Sequence, residues 1–136
     1  MSQALFADAF YFLALLSPRD EDHELAIELS KTLRGRLVTT EAVVLEVADG
    51  LCAPQDRPTT AAYIRGLWSN PRVTVVSADH ALLDRALTLY EARPDKSWGL
   101  TDCVSFTVMQ DHGVRDALTG DAHFEQAGFR ILFPSR

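Results

Sequence analysis

The sequence contains only two cysteines, Cys52 and Cys103, far apart and in no CxxC pair. That suits a reducing, cytoplasmic interior better than a disulfide framework. Its four histidines, His23, His80, His112 and His123, form no HxxxH or comparable pair, so a zinc centre is not expected. No apolar run approaches the roughly 20 residues needed to span a bilayer. The N-terminus lacks the basic region and cleavage site of a signal peptide, so no membrane association is expected. Low-complexity tracts and internal repeats are absent. Positive charge is also short: 13 Lys and Arg stand against 19 Asp and Glu, a net charge of −6. Such a balance disfavours nucleic-acid binding through the field of the whole molecule. The objection weakens if carboxylates hold cations, because two divalent ions would raise −6 by four, to −2.

What is present is ordinary globular material, 47% hydrophobic and 24% charged over 136 residues. That is enough for one domain, residues 1–136, with a substantial core and no staples. "QALFAD" (3–8) reads as a short strand ending in Asp8, and "AFYFLALL" after it is too apolar for a surface helix. "DEDHELAIELSKTLRG" (20–35) reads as a helix, with acids in its first turn, Lys31 and Arg34 in its last, and Leu25, Leu29 and Leu33 as its apolar stripe. "RLVTT" is a β-branched strand, and "EAVVLEVADGL" a helix burying Val43, Val44, Val47 and Leu51. A further helix opens at Asp56 and Pro58 and closes at Asn70-Pro71. "RVTVVSA" is a strand, and Asp79 caps the helix "HALLDRALTLYEAR", which Pro94 stops. The loop "PDKSWG" leads into a helix, "LTDCVSFTVM". "VRDALTGD" is a strand, "AHFEQAG" a short helix and "FRILF" the last strand. Strands alternating with helices imply right-handed crossovers and a mostly parallel sheet covered on both faces.

In such sheets ligands bind beyond the carboxyl ends of the strands. Asp8 and Asp121 fall at two of those ends, and Asp102 opens the helix that feeds the strand before Asp121. Taken singly, Asp8 and Asp121 read more readily as helix N-caps, each worth about 1 kcal/mol. Asp102 reads equally well as a first-turn acid complementing the helix dipole, and Glu46 as a solvated flank residue. Gathered at one edge, the acids would repel one another and raise each other's pKa values unless a cation sat among them. A set of oxygen donors suits Mg²⁺ or Mn²⁺. Such ions activate water and neutralise phosphate, which points to phosphodiester chemistry.

The sequence resembles the PIN-domain family and, within it, the VapC-type toxins of bacterial toxin–antitoxin pairs. The resemblance runs along essentially the whole chain, through "FADAFYFLALL", "TTEAVVLEV", "SWGLTDCVSFTVM" and "ALTGDAHFEQAGFRIL", of which the last two are the specific ones. It implies a PIN-like three-layer α/β/α sandwich around a central, mostly parallel five-stranded sheet. The implied activity is a Mg²⁺- or Mn²⁺-dependent endoribonuclease that prefers single strands and leaves a 5′-phosphate and a 3′-hydroxyl. Matched position by position, the acids of the family are Asp8, Glu46, Asp102 and Asp121 here, with Glu41 as a competitor for the second place. Asp8, Glu46 and Asp102 would hold the cation, and Asp121 would complete its surroundings directly, through water or through a second ion. A homodimer and a cognate antitoxin whose tail covers the active site are also implied. One departure stands out. Many members carry a hydroxyl or amide just after the first aspartate, whereas Asp8 is followed by Ala9 and Phe10.

Thr39, Thr101 and Ser105 are hydroxyls that could orient carboxylates, though caps and helix-surface hydroxyls read the same way. Lys96 and Trp98, just ahead of Asp102, could meet phosphate and stack a base, although a packed tryptophan is the commoner use. His123 reads as a helix-surface residue that could approach a phosphate. "DAFYFLALL" and "TAAYIRGLW" offer more apolar surface than a small monomer readily buries, a mark of an interface.

Overall fold

The computed structural model describes residues 4–135. Gln3, the first residue of the expected opening strand, lies outside them. Five strands, β1 (Leu5–Ala7), β2 (Leu37–Thr40), β3 (Val73–Val76), β4 (Asp116–Leu118) and β5 (Arg130–Ile131), form one sheet in the order β3-β2-β1-β4-β5. Every pairing is parallel. The helices are α1 (Ala9–Leu16), α2 (His23–Thr32), α3 (Glu41–Gly50), α4 (Arg57–Ser69), α5 (His80–Ala92), α6 (Leu100–Asp111) and α7 (Ala122–Gln126), with a 3₁₀ turn at Pro54–Asp56 before α4. This is the expected PIN-like α/β architecture.

The strand order reverses at β1, which pairs with β2 on one side and β4 on the other. A crevice at the carboxyl ends follows from that reversal, because the helices after β1 and β4 leave toward opposite faces. The core beneath it is aromatic. Phe106 of α6 meets Trp98 and Phe124 edge to face, with ring centroids 5.0 Å apart in each pair, and Phe124 also packs on Phe6 of β1. Edge-to-face stacking of this kind adds about 0.5–1.5 kcal/mol per pair beyond burial. It fixes α6, α7 and β1 relative to one another.

Local boundaries differ from the expectations where a side chain competes with the backbone. The helix expected from Asp20 begins at His23, because Asp20 Oδ1 accepts the Asp22 amide at 2.8 Å and holds the acids in a turn. Its buried position is Ala26; Leu29 and Leu33 pack partly against the core, and Leu25 is exposed. The apolar run of α1 is divided. Ala9, Tyr11, Phe12 and Ala14 are buried, whereas Phe10, Leu13, Leu15 and Leu16 are half-buried at the rim of the core. In the second run Trp68 stays 61% exposed. The strand expected over 114–121 stops at Leu118, releasing Thr119, Gly120 and Asp121 into the turn that shapes the crevice.

Candidate metal centre

Each acid is delivered by a backbone that the local sequence dictates. Asp8 follows β1 directly and stands at the N-cap position of α1, yet its side chain makes no capping bond to the helix. It accepts instead from Thr119 Oγ1, at 2.8 Å, across the β1–β4 pairing. Asp102, in the first turn of α6, accepts the Gly99 amide at 3.0 Å through Oδ2. Asp121 caps α7, its Oδ1 accepting the His123 amide at 2.8 Å. The N-cap reading therefore holds for Asp121 and the first-turn reading for Asp102, and neither competes with a second role. A carboxylate has about four acceptor positions, and each cap uses one of them. Glu46 projects from α3 on the exposed flank of the Val43–Val47 stripe.

These four acids lie within electrostatic reach of one another. Burial pushes the Asp8 carboxyl up to about 6 against the partial relief of its Thr119 hydrogen bond, and Asp102 and Asp121 add to the rise. Glu46 is pushed up to about 7, first by desolvation and then by the charges of Asp8, Asp102 and Asp121. No lysine or arginine is among the groups acting on either carboxyl. Among the described residues, the edge of the sheet thus concentrates negative charge with no lysine or arginine acting on Asp8 or Glu46. Oxygen donors in this number, short of a counter-charge, fit a hard divalent ion. Asp102 and Asp121 each offer a carboxylate oxygen, and His123 a ring nitrogen, all within 4.8 Å of one another.

Glu41, the competitor for the helix position, is committed elsewhere. Its Oε1 accepts the Ala78 amide at 2.8 Å and ties α3 to the turn before α5. Of the three candidate hydroxyls, Thr39 donates to the Ala7 carbonyl at 2.8 Å, which steadies the end of β1 one residue before Asp8. Thr101 makes no hydrogen bond to a carboxylate among the described residues. Ser105 is buried, and its Oγ has no partner among them. Trp98 is 6% exposed, packed on Phe106, with Arg93 5.0 Å over its ring and Nε1 donating to Gln126 at 3.1 Å. Its ring is therefore not open to a base, and it serves as packing. Lys96 is half-buried in the loop ahead of α6.

Two residues of the site had no such role in the sequence reading. Thr119 Oγ1 donates to Asp8 and accepts the Asp121 amide at 3.1 Å, linking two acids through one hydroxyl. From the turn just after β4 it gives Asp8 a hydroxyl partner, and only the β1–β4 pairing reveals it. His123 is half-buried, with Nδ1 3.0 Å from Asp102 Oδ2 and 3.5 Å from Asp121 Oδ1. Its spacing of two residues from Asp121 was the available signal.

A family model of the PIN domain matches residues 5–130. The chain belongs to the PIN-domain family. Among solved structures, a Mycobacterium tuberculosis protein, the sarcin–ricin loop cleaving toxin VapC20, superposes with a TM-score of 0.83 at 22% identity, covering 92% of this chain and 95% of that one. VapBC2 from Rickettsia felis, bound to a DNA fragment from their promoter, gives 0.66 at 9% identity, covering 95% and 97%. FitAcB from Neisseria gonorrhoeae gives 0.65 at 13% identity, covering 96% and 97%. At these identities the likeness establishes a shared PIN fold. No curated protein matches the sequence. Among the described residues of this PIN domain, no helix is long and apolar enough to cross a membrane.

Proposed function

We propose that this PIN domain is a Mg²⁺- or Mn²⁺-dependent endoribonuclease, the toxin of a toxin–antitoxin pair. The observation that supports the reading is the close cluster of Asp102, Asp121 and His123 beside the β1–β4 switch point, with the charges of Asp102 and Asp121 reaching the raised carboxyls of Asp8 and Glu46. Membership of the PIN family supports it, and so does the likeness to a sarcin–ricin loop cleaving toxin. When bound, a divalent cation supplies activation of water and charge neutralisation at the scissile phosphate. Asp8, Glu46 and Asp102 would hold that cation, with Asp121 completing the set. Thr119 fixes the rotamer of Asp8, and the α6 and α7 backbones fix Asp102 and Asp121 through their caps, so the donors are placed before a substrate arrives. Lys96, in the loop ahead of α6, is the candidate to meet the RNA backbone. The VapC-type likeness supports a homodimer, an antitoxin partner and a cytoplasmic setting as parts of the same reading.

The test is cleavage of single-stranded RNA by the purified protein. Cutting is expected with Mn²⁺ or Mg²⁺, none with chelator, and none in Asp8→Asn or Asp102→Asn. Undiminished cleavage in both variants would remove the site. Binding of RNA without cutting in the wild type would instead make this a silent PIN module. As a toxin, the protein should arrest growth when expressed alone and be neutralised by the product of a small adjacent reading frame; normal growth would contradict the toxin assignment.

A further inference from the structure

His123 is built into the acidic cluster rather than laid on the surface. Its backbone amide is held by Asp121 Oδ1, and the next residue, Phe124, is fully buried between Phe6 and Phe106. The short helix α7 is thereby anchored, and the imidazole is returned toward the carboxylates on either side of it. Nδ1 lies 3.0 Å from Asp102 Oδ2 and 3.5 Å from Asp121 Oδ1. Octahedral sites with metal–ligand bonds of about 2.1 Å have neighbouring donors about 3.0 Å apart, so both spacings are close to one octahedral edge. Asp102 and Asp121 each spend acceptor capacity on a backbone amide and keep the remainder for the crevice.

We propose that His123 Nδ1 is a nitrogen donor to the divalent ion of this site, and that it biases the centre toward Mn²⁺ or another first-row transition ion over Mg²⁺. Imidazole nitrogen adds affinity for first-row ions, whereas Mg²⁺ strongly favours oxygen and holds its water tightly. The inference rests on the metal-dependent reading above and adds to it a ligand outside the four acids. A histidine that only hydrogen-bonded to Asp102 would orient that carboxylate and leave the choice of ion unchanged.

Pulsed electron paramagnetic resonance on the Mn²⁺-loaded protein separates these cases without an activity assay. Direct ligation is expected to give the hyperfine coupling of a coordinated imidazole nitrogen, which disappears in His123→Ala. Titration calorimetry should show Mn²⁺ affinity falling about tenfold or more in that variant, and Mg²⁺ affinity changing less than about threefold. His123→Gln repeats the measurement should alanine disturb α7, and the wild-type spectrum is decisive without either variant. Bound Mn²⁺ with no nitrogen coupling would overturn the role of His123 and leave the four-acid centre standing. Failure of the wild type to bind Mn²⁺ or Mg²⁺ at all would overturn both.

Discussion

Replacing Asp8 by asparagine should stabilise the metal-free protein at pH 8 while destroying its response to metal. Burial lifts the Asp8 carboxyl from 3.8 to about 6, and the charges of Asp102 and Asp121 add to the rise. The sign follows from linkage. Between those two values the native state retains a proton that the unfolded chain has released, so the contribution is fully favourable below about pH 4 and is lost as pH rises through about 6. At about 1.4 kcal/mol per pH unit, the charged form weakens the metal-free fold by at most about 3 kcal/mol at pH 8. Asparagine keeps a carbonyl to accept the Thr119 hydroxyl, so the variant removes the charge and spares the contact. Allowing for solvent screening, about 1–2 kcal/mol should be recovered, a rise of roughly 3–10 °C in melting temperature for a chain of this size. Calorimetry in chelator at pH 5 and pH 8 measures it. Wild type should melt lower at pH 8 than at pH 5, and Asp8→Asn should narrow that gap. Mn²⁺ should raise the melting temperature of the wild type and leave the variant unmoved. A variant that melts below wild type at pH 8 in chelator would refute the electrostatic reasoning, because the carboxylate would then be stabilising the fold without any ion.

Thr119→Val, nearly isosteric at a fully buried position, leaves the Asp8 carboxylate and the Asp121 amide without their shared hydroxyl; chemical denaturation should show a loss of about 1–3 kcal/mol, restored by Thr119→Ser. Glu46→Gln should lower RNA cleavage by about two orders of magnitude, whereas Glu41→Gln, whose parent side chain serves the Ala78 amide, should stay within about threefold of wild type. Gly120→Ala places a methyl 2.7 Å from Phe10 Cζ and 2.9 Å from the Pro134 carbonyl, so the turn carrying Asp121 must shift; metal affinity and melting temperature should fall together. Phe106→Ala removes the ring on which Trp98 and Phe124 pack and should cost about 3–5 kcal/mol by denaturant melting.

The architecture was legible because strand and helix periods alternate cleanly along the chain, and the three aspartates were legible because each stands where an element begins. Glu46 came from family resemblance rather than periodicity; on the helical wheel it is a flank residue, and the structure leaves it on that exposed flank. What stayed hidden depends on contacts between strands that are distant in sequence. Thr119 reaches Asp8 only because β4 pairs with β1, and nothing in "LTGD" announces that partner. Trp98 was ambiguous for a different reason: a tryptophan in a polar loop looks available until Phe106 and Gln126 are seen to claim both its face and its nitrogen. The helix start at His23 was obscured because Asp20 bonds its own turn instead of joining the helix.

Anomalous diffraction from crystals grown with Mn²⁺ puts the whole account at risk in one experiment. A strong peak bounded by the carboxylates of Asp8, Glu46, Asp102 and Asp121 is the expected result. Manganese found only at other acids of the surface, or a full-occupancy lysine or arginine side chain filling that crevice, would contradict it.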